Sequence, residues 1–236
     1  MFFYSIKLFN SDRVEGGKQI MVSYNIAIVY DQDSWITSYV DILEEKLVIL
    51  GHQVKKLYHF DKKNRYDFVF LLSYSEIVKK EFLQLNKHNL VVHESDLPKG
   101  KGWSPLTWQI LEGKTQIPIT LFEATEKVDN GEIYLQKNLM FDGFELIGEL
   151  REVQGNITIE LCLDFVCDYE KIVKKRRKQI GKGTYYSKRL PSDSNLDINK
   201  TIKEQFNLLR VVDNKKYPAY FEMENHKYIL EIRKEY

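Results

Sequence analysis

Asn25–Gly51, NIAIVYDQDSWITSYVDILEEKLVILG, decides the fold. Asn25–Tyr30 is a short β-branched run closed by Asp31, the pattern of a strand buried on both faces. Ile36, Val40, Leu43, Leu47 and Leu50 then recur at helical spacing, with Ser34 placed to cap the helix and Gly51 to stop it. Beyond it, HQVKKLYHF (52–60) reads as a second strand and YDFVFLLS (66–73) as a third. Strand, helix, strand at this spacing predicts a doubly wound, mostly parallel sheet.

The same reading extends outward. Ile77–Leu85 is a short amphipathic helix, and HNLVVHESDLPKGKGWSP (88–105) is an apolar strand that runs into His93 and a turn-rich loop. Thr107–Glu112 reads as a helix stopped by Gly113, and Ile117–Glu123 as another strand. In VDNGEIY (128–134), Asn130 and Gly131 tolerate positive φ and present Asp129 on a tight turn. Leu146–Lys178 is helical, and its basic end, KIVKKRRKQIGKG (171–183), reads as a solvated helix face. After a turn-rich segment (185–197), residues 202–212 form a helix and 215–234 a hairpin turning near Glu224–His226.

The 236 residues, 43% apolar and 13% aromatic, suffice to bury a sizeable core. Lys and Arg total 35 against 34 Asp and Glu, so no net field draws the chain to nucleic acid or to anionic membrane. No run approaches the about eighteen apolar residues of a membrane span, and the opening MFFYSIKLFNSDRVEGGKQ lacks the parts of a signal peptide. Cys162 and Cys167, with no other cysteine to complete a thiolate site, fit reduced thiols in a cytoplasmic protein without a metal. Met21 stands directly before the first strand, so residues 1–20 read as an extension, disordered or an upstream misassigned start. Their deletion is expected to leave folding and activity intact.

Neither G-x-G-x-x-G nor G-x-x-x-x-G-K-[ST] occurs, which disfavours a conventional dinucleotide or P-loop site. In an open parallel sheet ligands sit beyond the carboxyl ends of the strands. His93 falls there, and its side chain can exchange a proton near neutral pH.

HESDLP (93–98) and VDNGEI (128–133), in this order on a strand end and a turn, resemble the N-x-H-x-S-x-L-P and D-x-G motifs of the formyltransferases that use 10-formyltetrahydrofolate. RLPSDSNLD (189–197) followed by FNLLRVVDNKKYPAYF (206–221) is similar to the tail of the nucleotide-sugar N-formyltransferases. The barrel-like domain that tRNA-acting members carry on a basic linker has no counterpart here, which turns the expectation toward a small-molecule acceptor. The resemblance implies an α/β, Rossmann-like doubly wound sheet with a small C-terminal α+β appendage. Residues 21–150 would form the catalytic domain, and 151–236 a helix plus a substrate-binding appendage.

By the same resemblance His93 and Asp129 are the catalytic pair. The folate cosubstrate would lie between the loop holding Ser73, Tyr74, Ser75 and Ile77 and the loop running from Glu123 through Lys127, with Leu97 packed near it. Lys101, Trp103 and Trp108 would face sugar or phosphate, and Arg189, Asp193 and Ser194 would hold the nucleotide sugar. One departure stands out. The family asparagine two residues before the histidine is Val91 here, and Asn89 lies about 13 Å along the strand from His93, too far to substitute simply. Losing one oxyanion donor commonly costs ~2.7–4 kcal/mol.

The implied activity is transfer of a formyl group from 10-formyltetrahydrofolate to the amine of a nucleotide-linked amino sugar. The alternatives are hydrolysis of 10-formyltetrahydrofolate and a catalytically weak protein that binds folate or nucleotide sugar. The sequence leaves room for a homodimer.

Overall fold

The computed structural model describes residues 12–15, 18–60 and 63–235. The extension expected at 1–20 falls largely outside the described residues; within it β1 (Asp12–Glu15) pairs antiparallel with β2 (Lys18–Met21). β3 (Asn25–Val29), α1 (Thr37–Ile49), β4 (Gln53–Leu57) and β5 (Phe68–Leu71) follow in the anticipated order. Next come α2 (Lys80–Leu83), β6 (His88–His93), β7 (Lys101–Gly102) and α3 (Pro105–Leu111). β8 (Gln116–Glu123) and β9 (Ile133–Met140) lead to α4 (Ile147–Cys167) and α5 (Tyr169–Lys174). The tail holds β10 (Tyr185–Tyr186), a 3-10 turn (Pro191–Ser194), α6 (Phe206–Val211) and the hairpin β11 (Ala219–Met223) and β12 (His226–Leu230).

The central sheet has six strands in the order β4-β3-β5-β6-β8-β9. The first four are parallel, β8 runs antiparallel to β6, and β9 antiparallel to β8. Alternation along the strands divides the core between two faces. Ile26, Ile28, Phe68, Phe70 and Leu90 pack against Val40, Leu43 and Leu47 of α1 and Leu161 and Phe165 of α4. Ala27, Val29, Val69 and Leu71 point the other way, toward Phe82 of α2 and the rings of Phe60 and Tyr74. One face thus carries two long helices and the other a single helical turn. The carboxyl ends of β3, β5 and β6 open at one edge of this arrangement.

Four expected elements differ in extent. α1 begins three residues after Ser34, because a turn closed by Ser34 N–H on the Asp31 carbonyl precedes it; the Ser34 hydroxyl bonds Ser73 Oγ at 3.0 Å instead of capping the helix. Only Lys80–Leu83 of the helix expected at 77–85 is helical, and Ile77 is 71% exposed. The long helix breaks at Asp168 and ends at Lys174. There Arg177 leaves it to exchange backbone hydrogen bonds with Ile133 at the start of β9, so the basic run is not one helical face. The helix expected at 202–212 starts at Phe206, because the Gln205 side chain ties the preceding turn to both backbone groups of Asp197.

Two contacts fasten the tail to the rest of the chain. β10 pairs in parallel with β7, and Gly102, at φ +94, is required there because a Cβ would stand 2.4 Å from the Tyr186 carbonyl oxygen. Arg210 is 1% exposed; it donates to the Glu145 carbonyl at 3.1 Å and to the Glu145 carboxylate at 2.9 Å.

Candidate active site

β6 delivers His93 to the mouth of the sheet, and the glycine-rich loop folds back over it. His93 Nε2 lies 2.8 Å from the Gly100 carbonyl oxygen. A carbonyl only accepts, so this contact assigns the hydrogen to Nε2 and leaves the lone pair on Nδ1. Asp129 Oδ2 stands 3.8 Å from the same nitrogen and accepts the Gly102 N–H at 2.8 Å. The loop between Gly100 and Gly102 therefore grips the ring with its first carbonyl and the carboxylate with its last amide.

The turn that presents Asp129 works differently from the expectation. Asp129 itself takes the left-handed conformation, at φ +49, whereas Gly131 is needed for close approach: a Cβ there would meet the Glu123 carbonyl oxygen at 1.7 Å. Gln179 clamps the turn from outside, donating to the carbonyls of Asp129 at 3.0 Å and Gly131 at 2.9 Å. Lys101, 3% exposed, donates to Asn130 Oδ1 at 2.8 Å; burial pulls its pKa down and the charge of Asp129 opposes the shift.

His93, Glu94 and Asp129 line one cavity of about 1040 Å³. One part of its wall comes from Leu71, Ser73, Tyr74, Ser75, Ile77, Phe122 and Val128. Another comes from Trp35, Trp103, Arg151, Gln154, Arg189, Ser194 and Asp213. Arg151 pairs with Asp213 at 2.8 Å and lies over the Trp35 ring. Arg189 donates to the Asp193 carbonyl at 2.8 Å while its buried Nε has no partner among the described residues.

Six of the residues named from the sequence stand away from this wall. Leu97 packs with Phe122 and Ile133 beneath it. Glu123 is spent under β6, accepting the Asn89 N–H at 2.7 Å and the Tyr134 hydroxyl at 2.8 Å. The exposed Lys127 meets Thr125 through its backbone carbonyl. Lys101 is turned onto Asn130, and Asp193 caps the 3-10 turn by accepting the Leu190 N–H at 2.6 Å. Trp108 donates to the Ser187 carbonyl at 2.9 Å and stacks on Tyr186.

Val91 reaches the cavity with no polar atom and packs against Leu97, Phe122 and Ile133. Asn89 is occupied elsewhere: its amide nitrogen donates to the Leu83 carbonyl at 2.9 Å and its oxygen accepts from Asn86 at 3.0 Å. Sequence reasoning missed Trp35, Glu94, Arg151, Gln154 and Asp213. Only Glu94 carried a signal, its place beside His93.

Residues 51–150 match the formyl transferase family. Methionyl-tRNA formyltransferase of Thermodesulfovibrio yellowstonii is 28% identical over 145 residues, 61% of this chain and 47% of its own length. The chain spans about half the length of the curated methionyl-tRNA formyltransferases it matches. Among solved structures, HypX from Aquifex aeolicus in complex with tetrahydrofolic acid aligns with a TM-score of 0.74 at 17% identity, over 89% of this chain and 38% of that one. A sugar N-formyltransferase from a Shewanella species aligns with a TM-score of 0.66 at 15% identity, over 90% and 98% of the two chains. These alignments show a shared fold: a parallel-dominant sheet with flanking helices.

Proposed function

We propose, from the match of residues 51–150 to the formyl transferase family, that the protein moves a formyl group from 10-formyltetrahydrofolate to the amine of a nucleotide-linked amino sugar. One observation carries the reading: His93, backed by Asp129, opens onto a cavity whose volume, about 1040 Å³, suits two ligands side by side. The folate, as cosubstrate, supplies the activated formyl group. Leu71, Val91, Phe122 and Val128, flanked by the polar loop from Ser73, suit a flat heteroaromatic ring with hydrogen-bonding edges and would hold it.

The chemistry assigned to the chain follows from the histidine contact. Nδ1 of His93 takes the proton from the acceptor nitrogen as the new C–N bond forms and returns it to the leaving nitrogen as the old one breaks. Asp129 stabilises the imidazolium between those two transfers. With Val91 offering no amide, that imidazolium is also the donor for the charge that develops on the formyl oxygen.

The acceptor belongs beside Trp35, Arg151, Arg189 and Ser194, where an aromatic ring and cations suit a nucleoside diphosphate. We assign residues 21–150 as the catalytic domain and 151–236 as the part that completes the acceptor side. A cytoplasmic location agrees with this use of folate, and among the described residues no helix is long and apolar enough to cross a membrane.

The test is formylation of a panel of nucleotide-linked amino sugars by the parent and by His93→Ala. Formyl transfer to one member, abolished by the substitution, is the expected result. Formate release without any amine would establish hydrolysis instead, and folate binding without turnover would reduce the protein to a binding role.

A further inference from the structure

Glu94 follows His93, lines the same cavity and has no part in the proton transfers above. Two helices hold it. Gln109 of α3 donates to its backbone carbonyl at 2.6 Å, and Gln154 of α4 donates to its Oε1 at 2.7 Å. Among the described residues Gln154 is the side chain that hydrogen-bonds this carboxylate, its own backbone N–H also holds it, and no Lys or Arg forms an ion pair with it. Two other acids of the wall are engaged, Asp213 by Arg151 at 2.8 Å and Glu76 by the Tyr74 hydroxyl at 2.9 Å.

A partly buried carboxylate without a counter-ion is costly, and burial pushes the Glu94 carboxyl up against the pull of His93 and the Gln154 amide. A ligand cation relieves that cost. Of the groups a formyl acceptor offers, an ammonium is the compact one, with several N–H donors on one atom.

We propose that Glu94, positioned by Gln154, docks the amine of the acceptor and removes its first proton. The inference rests on the formyl-transfer reading and deepens it. An alkyl amine arrives largely as R–NH₃⁺ near neutral pH and has no lone pair for attack. One proton must leave before the C–N bond forms, and a second leaves as it forms. Glu94 takes the first, becomes the neutral acid and later yields that proton to water. His93 takes the second and hands it to the leaving nitrogen, so the reaction releases one proton overall.

The experiment is equilibrium binding, without folate, of UDP-linked and dTDP-linked amino sugars and of their counterparts with hydroxyl in place of the amine. The parent is expected to prefer the matching amine about ten- to a hundredfold, the range of a charge-assisted hydrogen bond. Glu94→Gln, which keeps the shape and the Gln154 contact, is expected to erase that preference with tetrahydrofolate affinity unchanged. A parent that binds amine and hydroxyl ligands equally, or a Glu94→Gln variant that keeps the preference, overturns the inference and leaves formyl transfer standing. If no nucleotide sugar binds the parent, the acceptor reading falls and the inference falls with it.

Discussion

Asp129 stands 3.8 Å from His93 Nε2 while the same carboxylate oxygen accepts the Gly102 N–H at 2.8 Å. One oxygen thus serves both the electrostatics of the histidine and the shape of its loop, and the two roles separate by substitution. Asp129→Asn keeps an acceptor for Gly102 and removes the charge, so kcat should fall about 10²-fold with folate affinity retained. Asp129→Ala removes both, so folate affinity should fall as well. His93→Ala should lower kcat by about 10²–10⁴. Steady-state kinetics beside tetrahydrofolate titration decide the matter, and equal folate affinity in both Asp129 variants would refute the double role.

Gly131 is held where a Cβ would overlap the Glu123 carbonyl oxygen at 1.7 Å. Neither partner can yield cheaply, since Glu123 is fixed by Asn89, Tyr134 and His88. Gly131→Ala should destabilise the fold by about 1–3 kcal/mol, the usual range of overpacking, and displace Asp129. Urea unfolding measures the first effect and activity at saturating substrate the second.

How much of this was readable in the sequence depends on the range of the interactions. β3, β5 and β6 were visible because strands buried on both faces need continuous apolar runs, and the hairpin near Glu224 because a tight turn needs residues that accept positive φ. The order His93, Ser95, Pro98, Asp129 was visible as a motif. What was hidden comes from distant pairing. Gln154 meets Glu94 across sixty positions, Arg210 meets Glu145 across sixty-five, and no local pattern announces either. Glu123 and Lys101 were assigned to ligands because each adjoins a motif, whereas Tyr134 and Asn130 claim their side chains.

Arg210 and Glu145 form a buried pair linking α6 to the turn before α4. Arg210 is 2% exposed at its side chain, and Glu145 also accepts backbone N–H groups of Gly143 and Phe144 at 3.1 Å. Arg210→Ala strands that carboxylate, so a loss of about 3–5 kcal/mol is expected in chemical unfolding. A loss within the scatter of exposed pairs would mean that the backbone groups alone satisfy Glu145.

Val91 offers the formyl oxygen no donor. Val91→Asn should therefore raise kcat, by as much as the ~2.7–4 kcal/mol assigned to one oxyanion-hole donor if its amide is well aimed. The gain is opposed by a stability loss, because the amide enters the apolar contact with Leu97, Phe122 and Ile133. Rate and melting temperature measured on one preparation separate the two; an unchanged kcat would show that the donor lies elsewhere.

Glu94 gives a pH signature that needs no substrate. Its carboxyl is raised above the ordinary glutamate value of 4.5, chiefly by burial, with His93 and Gln154 opposing and Asp129 adding to the shift. In the window above 4.5 the folded chain therefore binds more protons at this position than the unfolded chain, and stability falls as pH rises through it. At neutral pH the ionised carboxylate is a burden that Glu94→Gln removes. The variant should melt above the parent at neutral pH, and the gap should close as pH drops below about 4.5, where both forms are uncharged. Thermal melts across that range provide the measurement. A gap that persists in acid would mean that the substitution acts through packing or through Gln154, and that burial of the charge is not what raises this carboxyl.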